Sequence, residues 1–162
     1  MKRKTKKNKI ATAASTTVLT ISKSAYDSIR RHGEQTYPCE SCGVLLGHIN
    51  GHGRLITSAV PCDNTRTDSP QNRYHIDPRD LVRIQREARE RDQDILGFYH
   101  SHPDHPAHWS HTDLAEAHWF GCSYVITSVE QGKAAQTNSF LLDGTGEANK
   151  HLDQESIELA SG

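Results

Sequence analysis

Hydrophobic residues recur along the chain with two different periods, and these periods predict alternating strands and helices. Short apolar or alternating runs are typical of strands, because successive side chains of a strand point to opposite faces. Six such runs occur: TVLTIS (17–22), CGVLLGHI (42–49), RLITSAV (54–60), DILGFYHSH (94–102), CSYVITSV (122–129) and NSFLLD (138–143). The second and third flank the turn sequence NGHG and therefore predict a hairpin.

Helical spacing of apolar residues predicts three helices. The first runs from Lys23 to about Gln35, and the third covers residues 110–120. The second begins with Asp77 as its N-cap and Pro78 at its first helical position. Its apolar face is formed by Leu81, Ile84 and Ala88.

The resulting order β-α-β-β-α-β-α-β-β predicts the α/β class, as a single domain with a mixed β-sheet flanked by helices. A chain of 162 residues suits one domain with a modest core. We expect this domain at residues 17–145, after a basic disordered tail at residues 1–16. Residues 146–162 are polar and weakly determined, and they are expected to form a weak helix or a tail.

Charge and composition exclude two classes of partner. Residues 1–9 carry six Lys or Arg, which leaves 13 basic and 20 acidic residues elsewhere, a net charge of −7. A body this acidic is a poor candidate for nucleic-acid binding. No apolar run approaches the ~18 to 20 residues that span a bilayer, so we expect no membrane partner. The four cysteines are irregularly spaced and predict no disulfide scaffold, so the cytoplasm is the expected location.

Five histidines lie within the seventeen residues GFYHSHPDHPAHWSHTD (97–113). His100 and His102 are two positions apart on a predicted strand, so both project from one face. Ser110 and Asp113 belong to the first turn of the next helix, where a carboxylate can face back toward the end of that strand. Two imidazoles and one carboxylate leave a fourth tetrahedral position for water, which is typical of a catalytic zinc site.

Each part of this pattern also has a purely structural interpretation. Ser110 and Asp113 form a fair capping box, and capping alone would account for both residues. The two strand histidines could be half-buried polar side chains. Two other histidines of the region, His105 and His108, are interpreted as solvated loop residues, and His111 and His118 do not share the helix face of Asp113.

The combined pattern HSHPDHPAHWSHTD, with YPCESCGVLLG upstream, resembles the signature of the JAMM (MPN-plus) zinc metallopeptidases of compact bacterial type. The segments NTR (64–66) and RYHIDP (73–78) extend the resemblance over roughly residues 18–142. It implies the JAMM/MPN fold, a curved sheet of cytidine-deaminase-like type. Trp109 is a departure, because relatives commonly have proline before the serine.

The resemblance also implies a site and a reaction. One zinc per chain would be held by His100, His102 and Asp113, with Glu40 as the general acid–base group and Ser110 as a donor to the oxyanion. The reaction would be hydrolysis of a peptide or isopeptide bond by a deubiquitinase-like enzyme. Because the chain lacks the insertions of ubiquitin-chain-specific relatives, the implied substrate is a ubiquitin-like sulfur-carrier protein, cut after its C-terminal Gly-Gly.

Three further expectations complete the sequence-based hypothesis. Leu96 and Phe98 share the strand face of the two histidines and are expected to form a dry wall behind the metal. The run HSHPDH also matches the metallo-β-lactamase pattern, which would recruit His105 as a ligand. A non-catalytic MPN-type interaction scaffold is the remaining alternative.

Overall fold

The computed structural model describes residues 17–51 and 53–161, so the predicted basic tail at residues 1–16 lies outside the described residues. This described part of the chain contains three helices and seven strands, in the order β-α-β-β-α-β-α-β-β-β. The helices are α1 (Lys23–Thr36), α2 (Pro78–Glu90) and α3 (His111–Glu116). The strands are β1 (Val18–Ser22), β2 (Cys42–Asn50), β3 (Gly53–Cys62), β4 (Asp94–Pro103), β5 (Ser123–Glu130), β6 (Lys133–Asp143) and β7 (His151–Ala160).

Local signals account for the helix boundaries. Ser22 caps α1 by accepting a hydrogen bond from the Ala25 amide, and Asp77 caps α2, where Pro78 occupies the first turn. Both caps satisfy amides that have no partner inside the helix. The third helix is shorter than predicted, because it ends at Glu116 instead of continuing to residue 120.

The seven strands close into a barrel in the order β1-β3-β2-β4-β5-β6-β7. β1 is parallel to both β3 and β7, β4 is parallel to β5, and the other neighbours are antiparallel. The prediction of a mixed curved sheet flanked by helices was therefore wrong. The architecture is dominated by strands, and closure gives each edge strand a neighbour.

The strand that the sequence did not predict is β7, which lies between β6 and β1 and so closes the barrel. It pairs with β6 on one side and with β1 on the other. Only Leu152 and Glu155 of this strand are buried, so the alternation that reveals a strand is almost absent. The sequence therefore predicted a weak helix or a tail where the structure has the closing strand.

Two hydrophobic clusters form the core. The first contains Ala25 and Ile29 of α1, and the second contains Ile84 and Ala88 of α2. Neighbouring residues of β2 alternate between the clusters, as expected for a strand that is buried on both faces.

A bulge in β4 changes which residues share the face of the histidines. Leu45 of β2 pairs with Gly97, but Leu46 pairs with Ile95, so Leu96 is the extra residue. Ile95 consequently joins the cluster that contains Phe98, whereas Leu96 packs in the other cluster. The expectation that Leu96 lies behind the histidines was wrong because of this bulge.

Among the described residues, none of the helices combines the length and the apolar character that a membrane crossing requires.

Candidate metal centre

β4 carries the two histidines of the candidate site into the interior. The strand lies between β2 and β5, and it is buried from residue 95 to residue 103. His100 is 2% exposed and His102 is 8% exposed. Two imidazoles on one face of a central strand are held in nearly fixed positions, because neither strand neighbour can move away.

The third group comes from the first turn of α3, which follows a short loop after β4. Ser110 caps this helix: its Oγ accepts a hydrogen bond from the Asp113 amide at 3.1 Å, and its own amide donates to Asp113 Oδ2 at 2.9 Å. This reciprocal capping box fixes the carboxylate of Asp113 at the start of the helix.

The Nε2 atoms of His100 and His102 and the carboxylate of Asp113 form a compact triangle. The two Nε2 atoms are 3.1 Å apart, His102 Nε2 lies 3.1 Å from Asp113 Oδ2, and His100 Nε2 lies 3.2 Å from Asp113 Oδ1. Protons on both nitrogens would point at each other and repel, whereas a cation in the centre would be attracted to all three groups. The residues therefore suit a metal ion.

The outer nitrogen of His102 determines which tautomer faces the triangle. His102 Nδ1 lies 2.8 Å from the carbonyl oxygen of Pro106, so Nδ1 carries the proton and donates it. Its Nε2 is then left with a free lone pair, as a metal ligand requires. The ring of His100 is held differently, because it stacks on the ring of Tyr74 with the two ring centroids 4.6 Å apart.

The ionisation of the three groups reflects this geometry. Burial disfavours the charged form of Asp113, but the nearby histidines and the Ser110 amide more than offset it and hold the pKa of this carboxyl well below its usual range. Burial lowers the pKa of His100. Burial disfavours the charged form of His102, but that form, with a second proton on Nε2, would donate to Asp113 as well as to Pro106, and these interactions raise the pKa of His102.

Glu40 lies two residues before the start of β2 and is 4% exposed. Its Oε2 atom has no hydrogen-bond partner among the described residues. Burial, with Asp113 and Glu116 nearby, raises the pKa of this carboxyl to about 9. A bound cation would lower it again, since an opposite charge favours the carboxylate. An unpartnered buried oxygen of this kind is a position for a reacting water or a substrate.

Asn64 ties the backbone of Glu40 to the loop before α2. Its Nδ2 donates to the carbonyl oxygens of Arg73 at 3.0 Å and of Glu40 at 3.4 Å, and its Oδ1 accepts from the His75 amide at 3.1 Å. The two sequence segments NTR and RYHIDP are thereby joined beside the site. Tyr74, which stacks on His100, lies between the two positions that Asn64 holds.

A cavity of about 550 Å³, here called the Ser110 cavity, opens beside the triangle. Residues that line it include Glu40, Arg73, His102, Trp109 and Ser110. It therefore brings both predicted catalytic residues, Glu40 and Ser110, together with one predicted metal ligand.

The remaining histidines of the region lie outside the triangle. His105 is exposed and lines the Ser110 cavity, and His118 pairs with Glu147 at 3.0 Å. The neighbouring Asp104 accepts hydrogen bonds from the Tyr37 hydroxyl and the Gln131 amide, so it is directed away from the triangle. The metallo-β-lactamase alternative, which needs both Asp104 and His105 at the metal, is not supported. A second group of possible ligands is fully exposed: Asp143, His151 and Asp153.

Sequence reasoning assigned no role to Pro106, Tyr74 or Glu116. The contribution of Pro106 is a backbone carbonyl, which no residue type signals. Tyr74 belongs to the segment RYHIDP, but its contact with His100 depends on the path of a loop.

A family described as prokaryotic homologs of the JAB domain matches residues 22–142, three quarters of the chain. The chain belongs to this JAB family. The resemblance to the JAMM proteins is thereby confirmed, and the JAB region contains the whole triangle, together with Glu40 and Ser110.

Individual JAB relatives agree with this assignment. A desampylase of Haloferax volcanii is 36% identical over 114 residues, which cover 68% of this chain and 80% of the relative. A probable TtuB-protein conjugate cleaving protease of Thermus thermophilus is 29% identical over 117 residues, with 72% and 74% covered.

Two solved structures resemble this JAB domain. The solution structure of a protein from Desulfitobacterium hafniense has a TM-score of 0.75 and 31% identity, and covers 89% of this chain and 94% of the other. That of a protein from Salinibacter ruber has a TM-score of 0.64 and 34% identity, with 86% and 91% covered.

Proposed function

We propose that the chain is a zinc-dependent isopeptidase that cleaves after the C-terminal Gly-Gly of a ubiquitin-like sulfur-carrier protein. The observation that carries the proposal is the triangle of His100, His102 and Asp113 beside the unpartnered carboxylate of Glu40. The names of the relatives support a hydrolase that acts on protein conjugates, because one is called a conjugate cleaving protease and another a desampylase.

The dimensions of the triangle fit zinc. Zinc–ligand distances of about 2.0 to 2.1 Å in a tetrahedron place neighbouring ligand atoms about 3.3 Å apart. The two Nε2 atoms here are 3.1 Å apart, and each lies 3.1 or 3.2 Å from its nearer carboxylate oxygen of Asp113, Oδ2 for His102 and Oδ1 for His100. His100, His102 and Asp113 would therefore hold the ion, and only one of them is anionic. When bound, zinc lowers the pKa of water toward neutrality and polarises the carbonyl group of the substrate.

Glu40 and Ser110 supply the remaining chemistry. Glu40 accepts a proton from the attacking water and passes it to the leaving amine, which requires a carboxylate with a free oxygen beside the ligand set. Ser110 donates a hydrogen bond to the oxyanion. Its Oγ acts only as an acceptor in the capping box, so the hydroxyl hydrogen remains available.

The tail of the carrier would lie in the Ser110 cavity. Because glycine has no side chain, a Gly-Gly tail can approach Trp109, Ser110 and the ligand set more closely than other sequences can. The four free thiols favour the cytoplasm as the compartment of this enzyme.

Metal analysis tests the cofactor. We expect about one zinc per chain in the purified protein, and Asp113→Ala should lose it because the only anionic ligand disappears. The matched control is His105→Ala, which removes an exposed histidine next to the triangle and should keep the metal. Normal zinc content in Asp113→Ala would contradict the ligand assignment.

Cleavage of a designed substrate tests the reaction. A sulfur carrier fused through Gly-Gly to a reporter peptide is compared with an Ala-Ala version, and only the first should be cut. Glu40→Gln should keep its zinc while turnover falls by at least ~10², because the amide accepts no proton at neutral pH. Equal cleavage of the two fusions would contradict the carrier assignment, and absence of all turnover in a zinc-loaded chain would favour the interaction scaffold.

A further inference from the structure

A separate cavity adjoins the triangle on the side of His100. It has a volume of about 330 Å³ and is here called the Phe98 cavity. The three ligand residues are not among the described residues that line it, but two of its walls are neighbours of His100: the ring of Tyr74 stacks on His100, and Phe98 precedes His100 by two positions on β4. Its apolar walls are formed by Tyr74, Ile76, Leu81, Phe98, Trp119 and Tyr124.

The two cavities are separate. The Ser110 cavity contains Glu40, His102 and Ser110, and none of its lining residues lines the Phe98 cavity. Hydrolysis of an isopeptide bond needs space on both sides of the scissile bond, one for the acyl group and one for the amine. The proposed position of the carrier tail in the Ser110 cavity leaves the Phe98 cavity for the amine.

The charge of the Phe98 cavity is that of Glu116. This residue ends α3, is exposed, and in the described part of the chain its carboxylate makes neither a hydrogen bond nor an ion pair. It nevertheless lies near the triangle, because it follows Asp113 by three positions on α3, and residues with that spacing are neighbours on one face of a helix. His118, at the same rim, already pairs with Glu147.

We infer that the Phe98 cavity binds the lysine side of the isopeptide bond, with the aromatic walls around the methylene stem and Glu116 beside the leaving nitrogen. This inference rests on the proposed function. Long cationic side chains bury their stems against apolar surface while the charged end stays at the rim. The walls of the cavity and its uncompensated carboxylate match these two parts of a lysine.

The chemistry of the step explains why a carboxylate belongs there. Water adds to the carbonyl carbon, the C–N bond breaks with its electron pair on nitrogen, and the nitrogen takes the proton that Glu40 removed from the water. The product acid gives its remaining proton to solvent, and the lysine amine takes one from solvent, because its pKa of about 10.4 makes it an ammonium ion at neutral pH. Glu116 stabilises this cation and thereby favours lysine as the leaving group.

Binding of the amine product tests the inference without any turnover. The full-length protein is titrated with N-acetyl-lysine amide and with the uncharged N-acetyl-norleucine amide, followed by NMR. Glu116→Gln should weaken lysine binding roughly threefold to fivefold, the range of an exposed ion pair, and leave norleucine binding unchanged. High salt should abolish this difference. Glu90→Gln, which removes an exposed carboxylate at the end of α2, is the matched control and should change neither.

The walls are tested by a pair of substrates that share one carrier. The carrier is joined through Gly-Gly either to the side chain of lysine in a peptide or to a peptide that begins with glycine. Trp119→Leu removes the indole ring but keeps the hydrogen bond from the backbone amide to the Tyr124 hydroxyl. For the lysine-linked substrate, kcat/KM should fall roughly fivefold, about the effect of exposing one methylene group. For the glycine-linked substrate, kcat/KM should remain unchanged.

The results separate this inference from the proposed function. One case is that the wild type cleaves both substrates. Equal losses for both substrates in Trp119→Leu, or no effect of Glu116→Gln on lysine binding, would then overturn the lysine site and leave the isopeptidase intact. Cleavage of neither substrate by the zinc-loaded wild type would instead contradict the proposed function.

Discussion

In the proposed function, Ser110 performs two tasks with one hydroxyl group. Its oxygen accepts the Asp113 amide and so caps α3, while its hydrogen has no acceptor among the described residues. The cap determines where the carboxylate of Asp113 lies, and the free hydrogen is the part that a developing oxyanion can use. The two tasks can be separated because they use different atoms.

We predict that Ser110→Ala lowers kcat/KM by roughly 10²- to 10³-fold, or about 2.7 to 4 kcal/mol, through loss of the oxyanion donor. It should also lower the free energy of unfolding by about 0.5 to 2 kcal/mol through loss of the cap. Ser110→Gly is the matched control: it costs only a few tenths of a kcal/mol in stability but should lose as much activity. Activity that follows stability across the two variants would show that capping is the whole role.

Glu40 makes the stability of the metal-free protein depend on pH. Its pKa is about 9 in the folded protein and near 4.5 in the unfolded chain, so the folded state retains a proton that the unfolded state has released. This effect lowers the free energy of unfolding as the pH rises from about 4.5, and levels off above about 9.

We therefore predict that Glu40→Gln gains stability relative to the wild type as the pH is raised from 5 to 8, both without metal. Urea unfolding of the two proteins after treatment with a chelator measures the difference. With zinc bound the difference should shrink, because the cation lowers the pKa of Glu40. A difference independent of pH in the metal-free proteins would contradict the raised pKa.

At the scale of the elements, β4 supplies both the histidines and the structural irregularity that directs them. The bulge at Leu96 sets which face each later residue of the strand occupies, and Gly97 follows it directly. A Cβ atom at Gly97 would lie 2.4 Å from the backbone oxygen of Ser123 on β5. The parallel pairing of β4 and β5 next to the histidines therefore requires glycine at this position.

We predict that Gly97→Ala lowers the free energy of unfolding by about 1 to 3 kcal/mol, because the neighbour that must move is backbone and not a flexible side chain. The matched control is Gly146→Ala, where the added Cβ has no neighbour within 4 Å. It should change stability by less than about 0.5 kcal/mol. Urea denaturation compares the two, and equal losses would show that close strand packing is not the cause.

At the scale of the whole molecule, Glu155 of β7 joins strands that are far apart in the sequence. Its buried carboxylate pairs with Arg54 of β3 at 2.5 Å and accepts hydrogen bonds from Ser123 of β5 at 2.5 Å and Ser139 of β6 at 2.8 Å. Thr17, just before β1, donates to the same carboxylate at 3.0 Å. Through Glu155, the closing strand β7 is thus linked by polar contacts to β3, β5, β6 and the start of β1.

We predict that Glu155→Ala lowers the free energy of unfolding by about 3 to 5 kcal/mol, because it leaves the guanidinium of Arg54 largely buried without its partner. Glu158→Ala, an exposed position of the same strand, should stay within about 0.5 kcal/mol of the wild type. Chemical denaturation measures both. Similar small effects in the two variants would mean that the network contributes little to stability.

The sequence determined the features that depend on short-range interactions. The spacing of His100 and His102, the capping box of Ser110 and Asp113, and the start of α2 at Pro78 all involve residues within one or two turns or on one strand. Such local patterns have one preferred geometry, so the structure has them where the sequence predicted. The family likewise followed from the motif, and the roles of these residues remain proposals that the experiments above address.

Only the tertiary structure decided the features that depend on contacts between distant segments. The closure of the barrel rests on β7, whose polar sequence hides its strand character. Glu40 lies beside His102 and Ser110, which are sixty to seventy positions further along the chain, and this placement depends on strand register. The bulge that moves Leu96 to the other cluster depends on strand register as well. Register is set by how whole elements pack together, and no local hydrophobic pattern specifies that packing.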